Sequence, residues 1–367
     1  MNASSHGVSP LTIRALRATG VEVPMTYALG TSRATIAKAP LLLIDLDTQE
    51  GITGRAYLFC YLRGAAPAIA AMLGEVLAIT KGERVAPVDL WATLAKRFAL
   101  IGVQGIVRMA MAGFDVACWD ALAQSAGLPL ARLLGAQATR VRAYNSCGLG
   151  LMPADKLAEE AAKLARGFSA VKLRLGYETL REDLAALAAV RQRVPAGTHI
   201  MVDYNQALTV AQALARGRAL DQEGVYWLEE PIRHDDYAGA ARLARELSVP
   251  IQIGENFSEP HSMAAAIAAG ACDYAMPDLE RIGGVTGWQR AAGLAAAHRI
   301  EMSSHLFPEV SAHLLAATPT RHWLEWVDWA EAILEEPLRI EDGHAVVPDR
   351  PGNGLSWNAK AVEKYRM

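Results

Sequence analysis

From about residue 140 to about 325 the chain repeats one pattern: a short apolar run, a polar turn, then an Ala- and Leu-rich stretch with helical spacing. Such alternation of strand and helix implies a parallel sheet, either doubly wound or closed as a barrel. The strand count decides between them. Apolar runs at 141–146, 170–175, 199–204, 225–230, 250–255, 273–278, 300–305 and 322–326 make eight, the number that closes a barrel. The preceding part reads differently. Residues 11–60 hold β-like runs that predict a three-stranded meander, with a Gly-, Ser- and Thr-containing flexible excursion at 27–38, and helical patterns follow between 64 and 134. After 335, Gly- and Pro-marked turns without a helical period predict a segment that folds back on the first domain. The expected division is α+β over 1–138, an α/β barrel over 139–332 and a returning segment over 333–367.

The strand SAVKLRLG places two cations in an apolar run. Side chains alternate along a strand, so Val171, Leu173 and Leu175 share one face while Lys172 and Arg174 share the other. In a closed barrel that second face is the interior, and both cations should point into its mouth. A buried Lys has its pKa lowered by desolvation and can act as a base or steady a carboxylate, whereas Arg stays charged and serves as an anion clamp.

A ladder of polar residues closes successive strands. Asp203, Glu229 and Glu255 are spaced by 26 and 26 residues, Asp278 follows 23 later, His305 27 later and Glu325 20 later. Each interval is one strand–helix unit, so the six side chains occupy the same end of six consecutive strands and converge on the end where barrel enzymes place their chemistry. Three converging carboxylates repel one another unless a cation joins them, and a hard oxygen-preferring dication such as Mg²⁺ fits. Asp203, Glu229 and Glu255 are therefore the expected metal ligands. Asp278 beside His305 on the neighbouring strand would orient the imidazole and raise its basicity, as a general base requires. The glycines of RIGGVTG and CGLGLMP match no phosphate-binding pattern and read as tight βα loops.

Composition narrows the partners. Charged residues make up 20% and the formal net charge is −3, which leaves no basic footprint for nucleic acid. The Ala-rich run at 65–79 is interrupted by Glu75 and falls short of a membrane span. Four cysteines without paired spacing and an N-terminus without a signal-peptide pattern lead to a cytoplasmic expectation, with a small-molecule partner.

The motifs VKLR, VDYNQ, WLEEP, GEN, MPD followed by IGG, and SSHLF, with PLLLIDL and YLFCY in the first domain, resemble the mandelate racemase subgroup of the enolase superfamily over nearly the whole chain. The resemblance implies an α+β N-terminal capping domain, a modified TIM barrel of the (β/α)7β type, Mg²⁺ on Asp203, Glu229 and Glu255, a His305–Asp278 dyad and usually a homo-oligomer. It implies further that Glu325, with Lys172 beside it, meets a substrate carboxylate, and that Ser146 and Asn205 lie near metal and substrate. The implied chemistry is removal of the proton α to a carboxylate, giving a stabilised enediolate.

Two positions depart from the racemase pattern. Arg174 stands where the racemase has its second Lys, and racemisation needs a proton acceptor on each face, so dehydration of a sugar acid to a 2-keto-3-deoxy acid is the expected outcome. Arg33, on the stretch matching the flap over the substrate, suits a polar substrate, while Phe59, Tyr61 and Leu306 keep the pocket partly apolar. A 2-hydroxy acid racemase is the alternative reading, and a non-catalytic binding barrel the third.

Overall fold

The computed structural model describes residues 10–32 and 34–367. The first domain is an antiparallel sheet of β1 (Ile13–Gly30), β2 (Thr35–Thr48) and β3 (Thr53–Phe59), in that order. It is covered by α1 (Ala65–Thr80), α2 (Pro87–Arg97) and α3 (Gly105–Ser125), the last buried along most of its length. The excursion at 27–38 is not a loop. After a break in pairing between Pro24 and Leu29, strand pairing resumes at Leu29↔Ile36 and Gly30↔Thr35, so β1 and β2 extend as a hairpin arm. Its turn is narrow, with the Thr31 amide donating to the Ala34 carbonyl at 2.9 Å. Gly, Ser and Thr mark the tip, and the residues beside it are strand formers that pair.

A short helix, α4 (Leu130–Leu133), leads into the barrel. Its strands are β4 (Arg140–Asn145), β5 (Ala170–Arg174), β6 (His199–Asp203), β7 (Leu228–Glu229), β8 (Ile251–Ile253), β9 (Tyr274–Ala275), β10 (Glu301–Met302) and β11 (Leu324–Trp326). They pair in parallel from β4 to β10, and β11 pairs with β4. The seam between β10 and β11 is closed by the His322 amide on Met302 O at 2.9 Å and the Ser304 amide on Trp323 O at 3.0 Å. All eight expected strands are present.

Helices α5 (Ala154–Leu164), α6 (Leu180–Arg191), α7 (Val210–Leu220), α8 (Tyr237–Glu246), α9 (Pro260–Ala269), α10 (Leu279–Ile282), α11 (Gly284–His298) and α12 (Pro308–Ala316) connect the strands. Two of them open with reciprocal capping boxes, Thr179 with Glu182 and Thr209 with Gln212.

Alternation along the strands divides the barrel interior into two storeys. Ala170, Met201, Trp227 and Trp323, with Tyr144, form a buried apolar floor. Two residues further along each strand, on the same interior face, stand Lys172, Asp203, Glu229 and Glu325. The floor is buried and packed, so the charged storey sits on a low-dielectric base.

The C-terminal segment does two things. Its first part forms a hairpin, β12 (Ile340–Glu341) and β13 (His344–Val346), and β13 adds antiparallel to the start of β4. That edge is open because β4 meets β5 only at Asn145↔Val171. The rest returns to the first domain as expected: Asn353 donates to Asp120 at 2.6 Å, Trp357 to Asp45 at 3.0 Å, and α13 (Ala359–Tyr365) packs along β1. The glycines of RIGGVTG are not a tight βα loop either. A Cβ on Gly283 would meet the Trp91 ring at 2.9 Å and one on Gly284 would meet Asp115 at 2.5 Å, so both let the capping domain approach α11. Among the described residues no helix is long and apolar enough to cross a membrane.

Candidate active site and metal centre

Asp203, Glu229 and Glu255 each present a carboxylate oxygen, and these oxygens lie within 4.8 Å of one another. Neutral donors orient them: the Asn205 side chain on Asp203 at 3.0 Å, Trp227 and Gln252 on Glu229 at 3.0 and 3.3 Å, and Asn256 on Glu255 at 3.1 Å. Negative charge exceeds what the protein supplies to balance it. Burial pushes Glu229 up to about 8 against the pull of Lys172, and burial together with Glu255 holds Glu230 well above the carboxylate range. Three carboxylate oxygens brought this close are the donor set of a hard dication, and the residues fit one.

His305 and Asp278 meet as expected. His305 Nδ1 lies 2.7 Å from Asp278 Oδ2, while the other Asp278 oxygen accepts the Glu280 and Arg281 amides at 2.8 and 3.0 Å. The carboxylate thus caps α10 and fixes the imidazole together, leaving Nε2 toward the cavity, 3.4 Å from Glu255 and 4.0 Å from Glu325. Burial works to lower the His305 pKa, but Glu255, Glu325 and Asp278 carry it up to about 9.

Lys172 reaches across the interior to Glu229 at 2.6 Å, Glu325 at 2.7 Å and Asp203 at 3.4 Å. The lowered pKa expected for a buried Lys does not occur. Desolvation acts in that direction, and the three carboxylates outweigh it, so the ammonium is held above its ordinary value. Glu325, with Lys172 on one oxygen and the Leu306 amide on the other at 2.8 Å, is held well below the usual range despite burial. Ser146 also donates to Glu325, at 2.7 Å. Arg174 faces the mouth, yet its guanidinium is spent on the protein: Nη1 donates to Gly148 O at 2.8 Å, and Nη2 to Ser146 O and Oγ at 3.1 and 3.0 Å.

A cavity of about 660 Å³ joins these groups. Lys172, Arg174, Asp203, Asn205, Glu255, His305 and Glu325 supply its polar lining, and Leu29, Ile36, Phe59, Tyr61, Leu306 and Trp329 much of its apolar lining. Phe59, Tyr61 and Leu306 thus line the cavity; Asp278, Glu229 and Ser146 are not among its lining residues; Arg33 lies outside the described residues. Non-glycine residues with positive φ collect here, all but Arg299 and Asp342 lying at this end of the barrel: Tyr61, Leu149, Asn205, Gln206, Glu230, Leu306 and Phe307.

Sequence reasoning missed Glu230, Asn256 and Arg281. Arg281 donates to Glu255 O and Asn256 Oδ1, each at 2.9 Å, and stacks on Tyr61 with 4.8 Å to the ring centroid. The doubled Glu of WLEEP was a signal for the first; nothing in the spacing marked the other two.

A model of the mandelate racemase / muconate lactonizing enzyme N-terminal domain matches residues 14–135, and an enolase C-terminal domain-like model matches residues 156–361. The chain belongs to the mandelate racemase / muconate lactonizing enzyme family. It is similar to a magnesium-bound enolase from alphaproteobacterium BAL199, at 43% identity and a TM-score of 0.95, covering 97% of this chain and 100% of that one. A Bradyrhizobium enolase complexed with magnesium and mandelic acid is 41% identical with a TM-score of 0.92, covering 98% and 99%. The L-talarate/galactarate dehydratase of Salmonella typhimurium is 31% identical over 89% of this chain and 82% of its own length. Homologues within the enolase superfamily include dehydratases and cycloisomerases, and solved relatives carry Mg²⁺.

Proposed function

We propose that the protein removes the α-proton of a 2-hydroxycarboxylate with Mg²⁺ held by Asp203, Glu229 and Glu255, and that the reaction continues as dehydration of a sugar acid. Bound there, the dication would neutralise a substrate carboxylate and the charge that develops on it. His305, oriented by Asp278, takes the C2 proton on Nε2 in its neutral form, which a dication held beside it would favour by offsetting the carboxylates that raise its pKa. Lys172, held cationic and positioned by Glu325 at 2.7 Å, meets the substrate carboxylate and holds it in place. Departure of the C3 hydroxyl, which takes that proton from His305 and leaves as water, gives an enol that tautomerises to the 2-keto-3-deoxy acid. One proton and one hydroxide leave, and no redox partner is needed.

The observation that carries this reading is the one-sidedness of the proton chemistry. His305 is the one imidazole lining the cavity among the described residues, and across from it Arg174 is committed to carbonyl oxygens. Elimination needs one such base and racemisation needs two. A second reading, interconversion of an apolar 2-hydroxy acid, draws on the Leu29, Ile36 and Trp329 wall and on the mandelate bound by the Bradyrhizobium relative.

Proton NMR in D₂O with Mg²⁺, across sugar acids and both mandelate enantiomers, separates the two. A 2-keto-3-deoxy product from one sugar acid is the expected result. Solvent deuterium entering C2 of both mandelate enantiomers as they interconvert would overturn dehydration in favour of racemisation. A spectrum unchanged across the panel, and identical in His305→Asn, would favour a non-catalytic binding barrel.

A further inference from the structure

We infer that Arg174 is a positioning residue: its guanidinium shapes the seat on which the hairpin arm of the capping domain closes over the cavity. Between β4 and α5 the chain passes through Gly148 at φ 56° and Leu149 at φ 45°. A left-handed Leu is strained and persists only where its surroundings over-determine it.

Three side chains do so here. Arg174 holds Ser146 O and Gly148 O from the barrel interior, and its amide donates to Leu149 O at 2.9 Å. Glu160 accepts the Leu149 amide at 2.9 Å. The Tyr177 hydroxyl accepts from the Met152 amide at 2.9 Å and donates to the Met152 carbonyl at 2.6 Å. The two carbonyls taken by Arg174 are two residues apart. A planar fork takes them with two separate nitrogens, whereas an ammonium would have to reach both from one.

The other side of this loop receives the hairpin tip. The Leu151 amide donates to Gly30 O at 3.1 Å, and a Cβ on Gly150 would come within 2.4 Å of Gly30 O, so the two backbones touch directly. Ser32 donates to Tyr204 O at 3.2 Å from the same tip. Leu29, Ala34 and Ile36 of the arm line the cavity. One loop therefore separates Arg174 from the arm, and loosening the loop unseats the roof. The inference rests on the proposed reaction only in taking this cavity as the substrate site.

Hydrogen–deuterium exchange on the full chain loaded with Mg²⁺ tests it in wild type, Arg174→Lys and Gly150→Ala. Losing one charge-assisted hydrogen bond implies roughly tenfold faster exchange in peptides covering both the loop and the arm in Arg174→Lys. KM rises several-fold with a smaller change in kcat. Gly150→Ala leaves the guanidinium untouched and reproduces the faster exchange of the arm and the higher KM. An arm that exchanges at the wild-type rate in Arg174→Lys while kcat falls would assign Arg174 to the substrate and overturn the proposal. So would racemase activity gained in Arg174→Lys with exchange unaltered, or a mobile arm in Gly150→Ala with unchanged KM. If Arg174→Lys fails to fold, Tyr177→Phe, which loosens the same loop from the opposite side, takes its place with the same expected exchange. The exchange readout does not depend on turnover, so a wrong reaction and a wrong role for Arg174 fail separately.

Discussion

Asp278 and His305 carry the heaviest demand placed on individual side chains, because one carboxylate must cap a helix and hold an imidazole in a single geometry. General-base catalysis contributes about 10²–10⁴-fold, so His305→Asn is expected to lower kcat by that range while Mg²⁺ binding, measured by calorimetry, stays within a few-fold of wild type. A larger loss of metal affinity would move His305 from base to metal support. A second histidine predicts a pH effect on stability. His313 is buried between α12 and α4, where its Nδ1 accepts the Ala131 amide at 3.2 Å, and burial pushes its pKa down to about 4. The unfolded chain therefore binds a proton between pH 6.5 and 4 that the folded chain refuses, so stability is fully present above pH 6.5 and falls as the pH drops toward 4. The loss is about 3 kcal/mol from this group, and urea midpoints should show a shallower acid decline in His313→Gln than in wild type.

Some helix starts rest on purely local interactions. Thr179 with Glu182 and Thr209 with Gln212 announce helix starts, since a hydroxyl and a carboxylate or amide three residues on satisfy free amides whatever the rest of the chain does. Thr209→Ala is expected to cost about 1 kcal/mol in urea unfolding with unaltered kcat, Thr209 not being among the residues that line the cavity. A change in kcat would mean that α7 helps hold Asp203, the last residue of the preceding strand. The hairpin arm is the contrary case. Its tip residues read as a loop, and the strand on either side exists because it pairs with itself and docks on Gly150, a contact more than a hundred residues away in the chain. The β13 addition to β4 follows the same logic, since an open edge is a property of the assembled sheet.

At the scale of the molecule, the capping domain and the barrel both line the cavity, and its charge is unbalanced until a cation enters. Mg²⁺ at a hundred times its Kd should stabilise the fold by about 2.7 kcal/mol, read as a rise in Tm. Glu255→Gln should remove most of that rise while leaving the metal-free Tm near wild type. An equal rise in the variant would place the ion elsewhere.

The eight strands, their order, the ligand triad and the His305–Asp278 pair could all be read from residue spacing, because a barrel strand alternates its faces and each repeat returns a side chain to the same mouth. That much depends on local geometry repeated. The charge on Lys172, the tying of Arg174 to two carbonyls and the approach of Arg281 to Glu255 could not, because each depends on partners from other strands and loops. Desolvation alone would lower Lys172; three carboxylates carried in by neighbouring strands raise it instead. Residue type set what each group could do, and burial among those neighbours set what it does.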